Sequence, residues 1–117
     1  MRLALALSVA LVLPAAAPAW ETRESDAPLG PDALAAALVG RTIEFHDDGR
    51  ARFYTDGRYS YTYAGGGTAY GYYELGADGT VCILFVHGPE RCDLYVRDRA
   101  ERLVLITEDG LRFPVRP

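Results

Sequence analysis

Residues 41–63 read RTIEFHDDGRARFYTDGRYSYTY, and the rhythm of this stretch decides the architecture. Two Asp-Gly pairs, Asp48-Gly49 and Asp56-Gly57, interrupt short runs in which apolar and polar residues alternate. Tight hairpin turns need residues that accept a positive φ, and Asp-Gly supplies them. Within the runs, Ile43 and Phe45 oppose Thr42, Glu44 and His46, while Tyr59, Tyr61 and Tyr63 oppose Arg58, Ser60 and Thr62. A period of two is the mark of a strand with one buried face.

The same punctuation continues to the C-terminus, with AGGGT at 64–68, ADG at 77–79, HGPE at 87–90, DRAE at 98–101 and EDG at 108–110. Strands are therefore predicted at 41–46, 50–54, 58–63, 69–75, 80–86, 91–97, 102–107 and 111–115. Eight short strands at close spacing form an antiparallel up-and-down meander, which curls into a small barrel or half-barrel because closure removes exposed edges. Strands 80–86 and 102–107 are apolar on both faces, which predicts central positions or cover by a helix. One helix precedes the strands. In PDALAAALVG (31–40) the proline suits the first helical position, Asp32 the first turn, and Gly40 the position just past the end. Its apolar face, Leu34 and Leu38, is expected to cover an edge or an open end. The fold class is all-β with one short N-terminal helix, and residues 31–117 form a single domain.

Upstream the chemistry differs. Met1-Arg2 is a short positive start, LALALSVALVL (Leu3 to Leu13) is too short an apolar run to span a bilayer, and Ala17 and Ala19 make an A-x-A cleavage pattern. Residues 1–19 read as a secretory signal peptide, with Trp20 first in the mature chain and no cysteine to carry a lipid. Residues 20–30, WETRESDAPLG, read as a flexible polar segment. The expected localisation is periplasmic or secreted, with no stable membrane insertion of the mature chain.

The chain of 117 residues carries a formal net charge of −4, and losing Arg2 with the signal would make it −5. All twelve basic residues are arginine, spread along a net acidic chain, which argues against nucleic acid and anionic membrane surfaces. Cys82 and Cys92 are the only cysteines; an even count in an exported chain favours a structural disulfide, and C-x9-C is not a thioredoxin-type redox motif.

Seven of the eight tyrosines lie between Tyr54 and Tyr73. Tyr59, Tyr61 and Tyr63 on one strand are expected to meet Tyr70 and Tyr72 on the next, across the glycine loop. Such rings stabilise a sheet by cross-strand pairing, and they equally suit a contact platform, because a tyrosine offers large area at small entropic cost. These five tyrosines are the candidate ligand- or partner-binding residues. AGGGTAYG is not a phosphate loop, since no lysine follows and it joins two strands.

The order of LVGRT, FYTDGRY, GYY, DGTVC and a second cysteine resembles small secreted Gram-negative β-sheet proteins of uncharacterised function. In these a G-x-aromatic motif precedes a turn and a cysteine-bearing strand; here Gly71-Tyr72-Tyr73 takes that place, with tyrosine where tryptophan is commoner. The resemblance covers residues 38–96 and implies a secreted, disulfide-bearing β-domain with no catalytic residue to carry over. The plan is also similar to small periplasmic inhibitor barrels, by architecture alone.

Chemistry-bearing sets are sparse. His46, Asp47 and Asp48, with Glu44 on the strand face of His46, could offer metal ligands, but adjacent aspartates are what a hairpin turn uses anyway. His87 falls at a loop tip. Ser60 has no nucleophile elbow around it, and no carboxylate couple stands out. The sequence therefore reads as a non-enzyme with no metal and no cofactor, a small binding domain for an unknown protein or small ligand. The alternatives are an inhibitor of a periplasmic or secreted hydrolase, inserting residues 20–30 into its target's cleft, and a structural envelope protein.

Overall fold

The computed structural model describes residues 20–117 and, upstream of them, Ser8 alone; the expected signal segment thus lies outside the described residues but for that one position. The elements are β1 (Ala27–Pro28), α1 (Pro31–Leu38), β2 (Thr42–Glu44), β3 (Arg50–Phe53), β4 (Arg58–Thr62), β5 (Thr68–Leu75), β6 (Thr80–Phe85), β7 (Glu90–Arg97), β8 (Leu103–Ile106) and β9 (Arg112–Pro114). β2 to β9 pair in chain order, each antiparallel to the next, as the turn spacing predicts. Three of the Asp-Gly turns place their glycine at positive φ: Gly57 (90°), Gly79 (90°) and Gly110 (89°). In the remaining one Asp48 itself takes positive φ (68°), and Gly49 is buried where a Cβ would collide with the Tyr61 hydroxyl.

The sheet curls until its first and last strands meet, forming a half-barrel joined at one point. That point is the bridge between Phe45 and Val115, with the Arg116 amide donating to the Glu44 carbonyl (2.7 Å). The bridge sets Pro114 opposite His46, and proline has no N–H to extend the ladder. The Arg116 guanidinium donates to the His46 carbonyl instead (3.4 Å).

Odd-numbered residues of the strands point inward. The interior is aromatic: Phe53 meets Tyr59 (5.2 Å between centroids), Tyr73 (5.1 Å) and Tyr95 (6.5 Å), all edge-on. Edge-to-face contact suits ring quadrupoles and fills a narrow barrel without voids. Gly71 is inward-facing between Tyr59 and Phe85 in register, and a Cβ there would lie 2.5 Å from the Leu84 carbonyl oxygen. The glycine of the G-x-aromatic motif is therefore a close-approach residue. Helix α1 plugs one end, with Leu34 and Leu38 both fully buried in this core, which settles the face expected from its sequence.

Two expectations about cover change. Strand β6 is central in the sheet, as one of the two alternatives predicts, and leaves Leu84 half exposed; the outer face of β8 is buried, but the residue packed on it is Trp20, not the helix. In residues 20–30, read from sequence as a tether, β1 pairs with the end of β7 (Ala27 with Arg97, Pro28 with Val96). The physical reason is local: the far half of β7 extends past the start of β6 and offers an unpaired edge.

Candidate contact surface

The β4–β5 register separates the candidate tyrosines. Tyr59 lies opposite Gly71 and Tyr61 opposite Ala69, while Tyr70 faces Ser60 and Tyr72 faces Arg58. The turn closes Tyr63 onto Gly67, so odd residues pair with odd and even with even. The expected meeting of Tyr59, Tyr61 and Tyr63 with Tyr70 and Tyr72 therefore does not occur; the two groups stand on opposite faces.

Tyr59 is a core residue, 3% exposed, and burial raises its phenol pKa. Tyr61 is half-buried against Phe45, and burial followed by the nearby Asp47 charge raises its pKa too. Tyr63 lies beyond the end of β4, exposed and edge-on to Tyr61 (4.9 Å). Tyr73 points inward, its hydroxyl donating to the Tyr54 carbonyl (2.5 Å). Tyr70 and Tyr72 remain as outward-facing members of the set, 59% and 56% exposed.

Strand β6 enlarges that pair. Tyr72 is directly opposite Leu84, and the Val86 amide donates to the Tyr70 carbonyl (2.9 Å), so four large side chains adjoin on one outer surface. Leu84 and Val86 are 52% and 67% exposed. On the other flank the Tyr70 row continues through Ser60 to Arg52 and the Tyr72 row reaches Arg58, while Arg50 stands beside Arg52 in the row of Thr62 and Thr68. Arg52 stacks over the Tyr54 ring (4.6 Å). The R-A-R spacing at 50–52 puts both guanidiniums on this face, a sequence signal that whole-chain charge had averaged away. Sequence reasoning had also omitted Leu84 and Val86 from the candidate site, although their alternation with Phe85 was visible.

The Cys82–Cys92 disulfide forms between directly opposed residues on the outer face of β6 and β7 (S–S 2.04 Å). It borders the exposed patch on one side. On its other side Leu94, Val96, Val104 and Ile106 are buried with Trp20 packed on them. The Trp20 indole N–H donates to the Cys92 carbonyl (3.0 Å), and Arg112 grips Asp26 with two hydrogen bonds (2.6 and 3.0 Å). The Asp26 side chain is only 1% exposed; the Arg112 hydrogen bond holds its carboxyl below the ordinary value, and Asp26 in turn raises Arg112.

Two other polar clusters exist. At the barrel end away from α1, Asp93 is buried, its Oδ2 accepting from Arg91 (3.0 Å) and its Oδ1 without a partner among the described residues. Desolvation raises the Asp93 pKa, while Arg91, which burial alone would lower, is raised by the Asp93 charge. Along the barrel seam an open groove is lined by α1 together with Glu44, His46, Leu103 and Arg116. Glu44 and His46 do share this groove, but Asp48 pairs with Arg116 and Asp47 accepts the Gly49 amide (2.9 Å), so the four do not converge. Among the described residues, the group close enough to share a metal ion is Cys82, Glu90 and Cys92, and its two sulfurs are bonded to each other.

No helix among the described residues is long and apolar enough to cross a membrane. Comparison of the chain with protein-family models, curated proteins and solved structures finds no match.

Proposed function

We propose that this protein is a non-catalytic binding domain of the periplasm or the extracellular space, and that it makes contact through the outer face of β5 and β6. The observation that carries the reading is the contiguous exposure of Tyr70, Tyr72, Leu84 and Val86 on a surface whose other half is covered. Contiguous apolar side chains left in water mark interaction sites more often than they serve stability. The surface is the convex outside of a curled sheet, where a bound molecule is held by area and not by enclosure. A disulfide fits an oxidising compartment, which supports export.

Inhibition of an exported hydrolase by insertion of residues 20–30 is the weaker reading. It would require breaking the Asp26–Arg112 pair and lifting Trp20 from its apolar bed. The test is a double substitution, Tyr70→Ser with Tyr72→Ser, assayed for cross-linking to the exported proteins of the source cells. Loss of a specific cross-link with an unchanged melting temperature is expected. Identical cross-linking by the folded double variant would remove the face from consideration.

A further inference from the structure

The covered half of the outer surface shows how this barrel holds a segment of chain, here one that turns at Glu24–Ser25. The strap Trp20–Asp26 lays an aromatic ring on four aliphatic side chains and places one carboxylate on an arginine of the neighbouring strand, since Ile106 pairs with Arg112. The bare half repeats the same elements. Tyr70, Tyr72, Leu84 and Val86 supply the apolar bed; Arg52 stands at the end of the Tyr70 row, and Arg50 beside it on the same strand face, in the row of Thr62 and Thr68. Arg58 is already paired with Asp56, and Glu44 lies opposite Arg50 in register, yet Arg50 and Arg52 form no ion pair among the described residues.

Curvature decides what can fit. Around an eight-stranded barrel each strand step turns the outward direction by about 45°. The three steps from β3 to β6 therefore separate the arginines from the aliphatic pair by roughly 135°. A flat bilayer cannot touch both at once, and neither can a rigid globular surface. An extended chain running across the strands can, because the interval is about 14 Å at an interstrand spacing of about 4.8 Å.

Resting on the contact-surface reading above, we propose that the outer face of β3 to β6 is a docking track for an extended polypeptide segment of a partner protein. The segment sets aromatic or aliphatic side chains on Tyr70, Tyr72, Leu84 and Val86 and a carboxylate on Arg50 or Arg52. The net acidic charge of the chain does not oppose this, because charges beyond about 10 Å are screened at ordinary ionic strength.

The experiment titrates the full exported chain, isotope-labelled, with a random copolymer of glutamate and tyrosine, with polyglutamate and with phosphatidylglycerol vesicles. Expected are amide shifts confined to β3–β6 with the copolymer, weaker binding of polyglutamate and none of the vesicles. Charge reversal, Arg50→Glu with Arg52→Glu, should weaken copolymer binding by roughly tenfold or more and reduce its salt dependence. The neutral Arg50→Gln, Arg52→Gln variant, which keeps length without repulsion, should fall between. If Tyr70→Ser, Tyr72→Ser abolishes binding while both arginine variants leave it unchanged, the contact surface stands and the carboxylate-bearing segment is wrong. Preference for vesicles over the copolymer overturns the proposal in favour of a lipid surface. Concentration-dependent self-association shifting the same amides assigns the face to a second copy. Absence of shifts on β3–β6 with every probe overturns the proposal, and persistence of the specific cross-link in that case would leave the broader reading alive.

Discussion

The outside of this barrel has two apolar halves that meet at one disulfide. On β7 and β8, Leu94, Val96, Val104 and Ile106 are buried; on β5, β6 and the residue just past β6, Tyr70, Tyr72, Leu84 and Val86 are more than half exposed. The inward residues of all these strands pack into one core, so the difference lies entirely in what crosses the outer face. The covered half holds aliphatic residues, which gain most from complete removal from water. The bare half mixes in tyrosines, whose hydroxyls tolerate solvent until a partner arrives. One half contributes to stability, the other is the half we propose for recognition, and matched substitutions separate the two.

The largest contrast comes from truncating one residue on each side. Ile106→Ala should destabilise by about 3 kcal/mol, as expected for a buried isoleucine, whereas Leu84→Ala should stay within about 0.5 kcal/mol. Urea unfolding of both variants measures this, and equal losses would mean that the bare half is covered in solution. Next, Cys82→Ser with Cys92→Ser should cost about 3 kcal/mol through loop entropy and loosen the boundary on which Trp20 docks. If the barrel melts earlier but Trp20 remains docked at every temperature below the transition, the strap does not depend on that boundary.

Asp26→Asn should cost about 1.5–3 kcal/mol, the usual range for a hydrogen bond to a charged group. It should also remove part of the pH dependence. A carboxyl with a lowered folded pKa stabilises above its unfolded value of 3.8, and that stabilisation disappears as pH falls through the folded value. Asp93 has the opposite sign: its folded pKa is raised, so the native state binds a proton more readily and acidification from neutral pH favours it. The covered half should therefore loosen in acid before the barrel does. Stability curves of the wild type and Asp26→Asn that run parallel between pH 5 and 2 would contradict this assignment. The smallest effect is reserved for Tyr72→Ser, which should leave stability within about 0.5 kcal/mol.

Much of the barrel was legible because its turns announce themselves. Asp-Gly pairs bound strands whose limits fall within two residues of those expected, and Leu34 and Leu38 are the helix residues that reach the core. The tyrosine faces were not legible, because they depend on how the chain closes through Ala64–Gly67, and one residue more or less would reverse every side chain of β5. Nor was β1: Ala27–Pro28 has no strand pattern of its own and takes its conformation from the free edge of β7. The unbroken apolar run of β8 showed that something must cover its outer face. That the cover is Trp20, more than seventy residues away in the chain, follows only from the assembled sheet.

Trp20 is the chain's only tryptophan, and it sits beside a disulfide, the carbonyl of whose Cys92 accepts its indole N–H. Sulfur–sulfur bonds quench indole emission at short range, so the protein carries a built-in optical reporter for one event alone, the lifting of the strap. The tyrosines are concentrated in the barrel, with Phe53 ringed by three of them. Exciting Trp20 alone, at the red edge of its absorption where tyrosine is transparent, would follow the strap in an unlabelled sample.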